Sequence, residues 1–230
     1  MASSAEAGSL VKLNLASRLK EAIVEGRIRP GQRVVEASWA REFGVAQASV
    51  REAINLLAAD GFLVKNAGRS ARVPQYTAAD VARIYEVRGA LESLAAELAA
   101  ASHADLTPME AALERMQRAA SLGDVKELIA SDLAFHLALA GASGNPLLAE
   151  MIERLLRPLF TFVLLRMMEI HESAVRWGPD LPSHHQIIYL IRETNPAIAS
   201  QFVRHSVGRF AKSAQEVWWP PQKGRRRQGA

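Results

Sequence analysis

From Thr77 to Val217 the chain is cut into helix-length pieces by start signals, and no strand pattern interrupts them. Thr77 can cap a long helix reaching about Ala101, and Thr107-Pro108 starts another with proline at the first helical position, where its missing N–H costs nothing. Asp124 with Glu127, Asn145-Pro146, Ser183 and Asn195-Pro196 open four more. Pro158 falls inside the helix begun at Asn145-Pro146 and predicts a kink there, because it removes a hydrogen bond and crowds the preceding turn. About six helices without a sheet can bury their apolar faces only against one another, so this part of the chain is expected to be an all-α antiparallel bundle.

The first 74 residues follow a different pattern. Leu15, Leu19 and Ile23 repeat every four residues in a helix that should stop at Gly26, where glycine takes a left-handed conformation without cost. Pro30-Gly31 makes a turn, and a short second helix spans roughly 36–43 with Trp39, Ala40 and Phe43 inward. After the Gly44-Val45 turn, a third helix runs from about Ala48 to Ala59 with Val50, Ile54 and Leu57 on one stripe. Ser49 and Glu52 have capping-box spacing, although a start one residue earlier fits equally. Leu63-Val64-Lys65 and Ala71-Arg72-Val73 read as strands about the turn Asn66-Ala67-Gly68. Three helices and a two-strand ribbon make a winged helix-turn-helix. The expected fold class is therefore mainly α, with a winged helix-turn-helix over 11–74 and the bundle over 75–219. Residues 1–10 and the basic tail 220–230 are expected to be disordered, and Pro74-Gln75-Tyr76 is the linker.

Charge separates these parts. Residues 1–74 hold 11 Lys and Arg against 7 Asp and Glu, residues 75–221 hold 13 against 17, and the last nine residues hold 4 against none. A basic head on an acidic body favours a polyanion at one end only. The absence of cysteine excludes disulfides and thiolate metal sites, so any metal must be held by nitrogen and oxygen. The N-terminus lacks a signal-peptide pattern, and the longest apolar run, Leu159 to Leu165, is too short to span a bilayer. A cytoplasmic protein with no membrane partner is expected.

Spacing nominates two groups of residues. On the third helix Gln47, Arg51 and Asn55 are four apart, opposite the apolar stripe, and a helix in the major groove could bring such side chains to base edges. An ordinary solvated face would show the same spacing. In the body, Arg88 falls among Val81, Ile84, Leu91, Ala95 and Leu98, the expected core face of its helix. A guanidinium there needs a partner, either a carboxylate ligand or an internal salt bridge. Asp132 and His136 are one turn apart beside Ile129 and Leu139, and His184, His185 and His205 follow on later helices. One carboxylate with imidazoles suits a divalent ion such as zinc, nickel or manganese, whereas Asp132 with His136 alone could be a simple ion pair.

The run LKEAIVEGRIRPGQRVVEASWAREFGVAQASVREAINLLAADGFLV resembles the N-terminal head of the GntR family of bacterial transcription factors over residues 11–74. The helix before RPG, the GV turn, VREAI and DGFLV carry the likeness. It implies a DNA contact by Arg51 within a reading surface of Gln47, Ser49, Arg51 and Asn55, and a wing tip at Gly68 and Arg69. Where the family commonly has an arginine in the second helix and Ser-Arg-Thr-Pro before VREA, this chain has Ala37 and Ala46-Gln47-Ala48-Ser49. The operator sequence is therefore not carried over from relatives. EVRGALESLAAELAA, SDLAFHLALAGASGNPLL and HHQIIYLIRETNPAIA resemble the ligand-binding domain of the FadR subfamily in its six-helix VanR-like form, over about 78–212. This likeness implies Asp132, His136 and His184 as metal ligands and Arg88 near an organic-acid effector, with Asn145 in the SGNPLL element beside it. Family spacing puts the last ligand at Ser206, whereas the histidine is His205.

The resulting expectation is a homodimeric transcriptional regulator, a repressor by preference, that binds a roughly palindromic double-stranded DNA operator and responds to a small carboxylate. It is not expected to be an enzyme. A metal-dependent hydrolase built on Asp132, His136 and His184 would lack an obvious general base and leave the basic head unexplained. A protein-interaction bundle with no ligand is a third reading.

Overall fold

The computed structural model describes residues 4–65, 70–169, 180–193 and 195–218. Among them, helices α1 (Ser4–Val24), α2 (Glu36–Phe43) and α3 (Gln47–Ala59) form the head. Helices α4 (Ala78–Ala101), α5 (Thr107–Leu122), α6 (Val125–Ala142), α7 (Pro146–Glu169), α8 (Leu181–Glu193) and α9 (Pro196–Trp218) follow it. The chain divides into two compact units, Met1–Gln75 with Arg154–Leu165, and Tyr76–Glu153 with Arg166–Ala230.

In the head, Leu15, Leu19 and Ile23 of α1 meet Val50, Ile54 and Leu57 of α3, and Ile28, Val34, Leu63, Ala71 and Val73 complete the buried cluster. Gly44 ends α2 with φ 67°, and its N–H returns to Ala40 and Arg41 carbonyls, which sets the turn into α3. Helix α1 already begins at Ser4, so the expected disorder of residues 1–10 does not hold for 4–10; alanine and glutamate there favour helix. The capping box at Ser49 and Glu52 is also absent. Helix α3 is under way at Gln47 after Ala46, so Ser49 is its third residue. The expected two-strand ribbon is reduced to isolated antiparallel bridges, Val64 with Arg72 and Arg33 with Arg72. The Arg33 segment was not expected to pair. The turn residues 66–69 and the tail 220–230 lie outside the described residues.

In the second unit every helix start proposed from sequence is present within a residue or two. Thr77 and Asp80 form a full capping box on α4, and Asp124 accepts from the Glu127 N–H at the start of α6. Asp180 accepts from the Ser183 N–H (3.3 Å), so α8 starts two residues before Ser183. Pro158 lies within a continuous α7. Helix α4 packs on α9, α6 and α8, and α5 packs on α6 and α8. The buried stripe of α4 is Val81, Tyr85, Arg88, Gly89, Glu92, Ala95, Ala96 and Ala99. Ile84, Leu91 and Leu98, the large apolar residues that defined the expected face, are only half-buried at its flank. Small residues let α9 approach: a Cβ on Gly89 would stand 3.7 Å from Val207 Cγ1. The helix is thereby turned so that Glu92, as well as Arg88, points inward.

Candidate functional site

On the head, Gln47, Arg51 and Asn55 are exposed on one face of α3, and Ser49 is half-buried beside them. Arg51 is held by Glu36, the first residue of α2: its Nη2 donates to Glu36 Oε2 at 2.8 Å and its Nε at 3.0 Å. Hydrogen bonding and charge from Glu36 raise the Arg51 pKa further above its already high ordinary value. Lys65 donates to Asn55 Oδ1, tying α3 to the chain that leads into the wing. Gly68 and Arg69 fall outside the described residues. Glu36 is a contact that sequence reading missed, since nothing local couples positions fifteen apart on two helices.

The second unit contains a buried charge cluster. Asp132 and His136 of α6 meet His184 of α8, with His136 Nε2 3.2 Å and His184 Nε2 3.1 Å from Asp132 Oδ1. Arg88 donates from Nε to Glu92 Oε1 (2.6 Å), and its Nη2 lies 2.7 Å from His136 Nε2. His136 Nδ1 lies 2.8 Å from Glu92 Oε2, within ion-pair distance. His184 Nδ1 faces the Asp180 carbonyl at 2.9 Å. Phe135 packs edge-on against both imidazoles, at 5.5 Å from His136 and 4.6 Å from His184 between ring centroids. Arg88, Glu92, Asp132, His136 and His184 are all buried.

These contacts constrain proton positions. A guanidinium can only donate, so His136 Nε2 accepts from Arg88 and the ring proton sits on Nδ1, toward Glu92. A backbone carbonyl can only accept, so His184 donates from Nδ1 to Asp180, and its Nε2 faces Asp132 Oδ1 at 3.1 Å. Both Nε2 atoms and a carboxylate oxygen of Asp132 thus converge, an arrangement that favours a shared cation. The charge count agrees, with one guanidinium against two carboxylates. Burial raises the Glu92 pKa, but Arg88 and His136 outweigh it and hold Glu92 at about 2. Burial likewise raises that of Asp132, and hydrogen bonds with His136 and His184 bring it well below the ordinary carboxylate range. Among the described residues Asp132, His136 and His184 are the one group with metal-ligand geometry, their ligand atoms within 4.8 Å of one another. The donor set, two imidazole nitrogens and one carboxylate oxygen, fits zinc or a similar ion.

Three sequence candidates lie apart from this cluster. His205 is exposed on α9, while Ser206 is half-buried, so neither position adds an imidazole to the group. Asn145 is exposed and caps α7, its Oδ1 accepting from the Leu148 N–H at 3.1 Å. His185 faces Gln117 instead, at 2.6 Å. Arg88 lies within the cluster, but as the partner of Glu92. Glu92 itself was missed, although its place four residues after Arg88 was a readable ion-pair signal.

A helix-turn-helix head on an all-α second domain defines a DNA-binding transcriptional regulator. Residues 12–73 match the family described as bacterial regulatory proteins, gntR family, and residues 83–209 match the FCD domain. The chain belongs to the GntR family, with a FadR-type C-terminal domain. It is 31% identical over 194 residues to the HTH-type transcriptional regulator YdhC of Bacillus subtilis, covering 83% of this chain and 85% of that protein. It is 26% identical to the gluconate operon transcriptional repressor of the same organism, covering 91% and 87%. The solved structure of McbR (YncC) from Escherichia coli shares the fold, with a TM-score of 0.60 and 23% identity over 95% of this chain and 98% of that one. No helix among the described residues is long and apolar enough to cross a membrane.

Membership of this family gives Arg51 a functional prediction. Arg51→Ala should reduce operator affinity on the order of tenfold or more, because a positioned arginine on a recognition helix reads a base or fixes a phosphate. Gel retardation at fixed salt, with circular dichroism as a control for folding, measures this. Unchanged affinity would remove Arg51 from the reading surface.

Proposed function

We propose that the chain is a homodimeric repressor whose affinity for a roughly palindromic operator is set by a small carboxylate bound beside a divalent metal ion. Gln47, Ser49, Arg51 and Asn55 of α3 form the reading surface, with Gly68 and Arg69 of the wing. No side chain caps α3, which leaves its first N–H groups suited to a phosphate oxygen. Asp132, His136 and His184 would hold the ion, which would supply a positive anchor for an anion. Arg88 is the second positive group at that position. The observation that carries this reading is the convergence of two Nε2 atoms on Asp132 Oδ1 with Arg88 alongside.

The Nδ1 contacts serve the same reading. Glu92 and the Asp180 carbonyl each engage the ring nitrogen that faces away from the shared position, as outer partners do for metal-bound histidines. Asp132→Ala and His136→Ala are each expected to lower bound metal and the melting temperature together, since an ion bound only by the folded state stabilises it by mass action. Elemental analysis of protein purified without chelator or nickel resin, paired with thermal melts, tests this. Stoichiometric metal in the double variant would falsify the site. Operator binding titrated with candidate carboxylates tests the effector, and indifference to every acid would leave a regulator controlled by other means.

A further inference from the structure

We infer that Arg88 and a divalent metal ion are alternative cations for His136 Nε2, so that metal binding releases the Arg88 guanidinium to take a carboxylate. The inference rests on the metal reading above and adds to it a specific role for one residue. Arg88 Nη2 stands 2.7 Å from His136 Nε2, on the lone pair the ring would offer an ion. One lone pair serves one cation at a time. The ring cannot offer its other nitrogen, because Nδ1 is directed at Glu92 Oε2, 2.8 Å away.

Glu92 makes the exchange local. Its Oε1 holds Arg88 Nε at 2.6 Å, so the guanidinium can leave His136 without leaving the cluster. With Arg88 seated on His136, one guanidinium faces the two buried carboxylates Glu92 and Asp132. With a divalent ion held instead and Arg88 turned aside, the same groups carry an excess positive charge in a buried place, where an unbalanced charge is costly. A small carboxylate on the freed Nη groups restores the balance. Ion and carboxylate therefore bind cooperatively, each tightening the other by the same factor.

The test is a zinc titration of metal-stripped protein against a chromogenic chelator, with and without acetate, on the parent and on Arg88→Met. Acetate is expected to tighten zinc binding to the parent by about fivefold or more, the lower end of ordinary coupling between sites. Arg88→Met should bind zinc more tightly than the parent without acetate and show no acetate effect. Zinc that binds the parent, but equally tightly to Arg88→Met and with the acetate response intact, overturns the exchange and leaves the metal site standing. A parent that binds no zinc overturns the metal reading itself, and the exchange with it. If Arg88→Met does not fold, crystals of the zinc-loaded parent decide: Arg88 Nη2 should have left hydrogen-bond range of His136 Nε2 with Nε still on Glu92, and a guanidinium unmoved beside bound zinc refutes the proposal.

Discussion

Glu92→Ala is expected to lower the stability of the second unit by about 3–5 kcal/mol, the range seen when one partner of a buried ion pair is removed. The reason lies in what stays behind. Glu92 is 0% exposed and is the carboxylate partner of Arg88 at 2.6 Å, so alanine leaves a guanidinium inside the bundle facing a ring nitrogen. The loss measures a buried guanidinium stripped of its hydrogen-bonding carboxylate more than the worth of the pair, because burying both ions cost desolvation at the outset. Arg88→Met with Glu92→Leu should therefore cost much less than Glu92→Ala alone. Chemical denaturation followed by circular dichroism, with the head's transition treated separately, gives both values. A double variant as unstable as the single one would mean that the pair's own attraction, and not the stranded charge, sustains the fold.

What could be read from sequence divides along physical lines. Helix starts were legible because a cap is a local arrangement: Thr77 with Asp80 and Asp124 with Glu127 lie within one turn. Asp132 and His136 were legible for the same reason, and His184 through family spacing. The inward face of α4 is legible in part: Val81, Arg88 and Ala95 are buried as expected, whereas Ile84, Leu91 and Leu98 lie at its flank, because Gly89, Ala96 and Ala99 let neighbouring helices approach most closely. That rotation brought Glu92 inside. His205 lies apart from the cluster because a one-residue offset on a helix turns a side chain through more than a quarter circle, enough to take it from core to solvent. Glu36 with Arg51, and the Asp180 carbonyl behind His184, depend on how separate helices meet, and local spacing carries no trace of that. In the wing, Val64 pairs with Arg72 across the expected ribbon, and the described residues there form isolated bridges.

Phe135→Ala should cost about 3–5 kcal/mol, as expected for emptying a fully buried aromatic site. Phe135 is among the largest side chains with no exposure, so the transfer loss is complete and a cavity remains to the extent that α6 and α8 do not close over it. The position has a second consequence. The ring's edge-on contacts to His136 and His184 keep two imidazoles apart and upright, their own centroids being 5.4 Å from each other. Without it, each ring regains freedom about its side-chain torsions, and both Nε2 atoms must be reordered before they can meet a shared ion. Zinc affinity should consequently fall in Phe135→Ala although the residue supplies no ligand atom, while Phe135→Leu, which fills most of the volume, should recover more stability than affinity. Thermal melts and zinc titrations on the two variants separate these effects. If Phe135→Ala loses the stated stability yet binds zinc as the parent does, the imidazoles are oriented by Glu92 and the Asp180 carbonyl alone, and the phenyl ring contributes packing only.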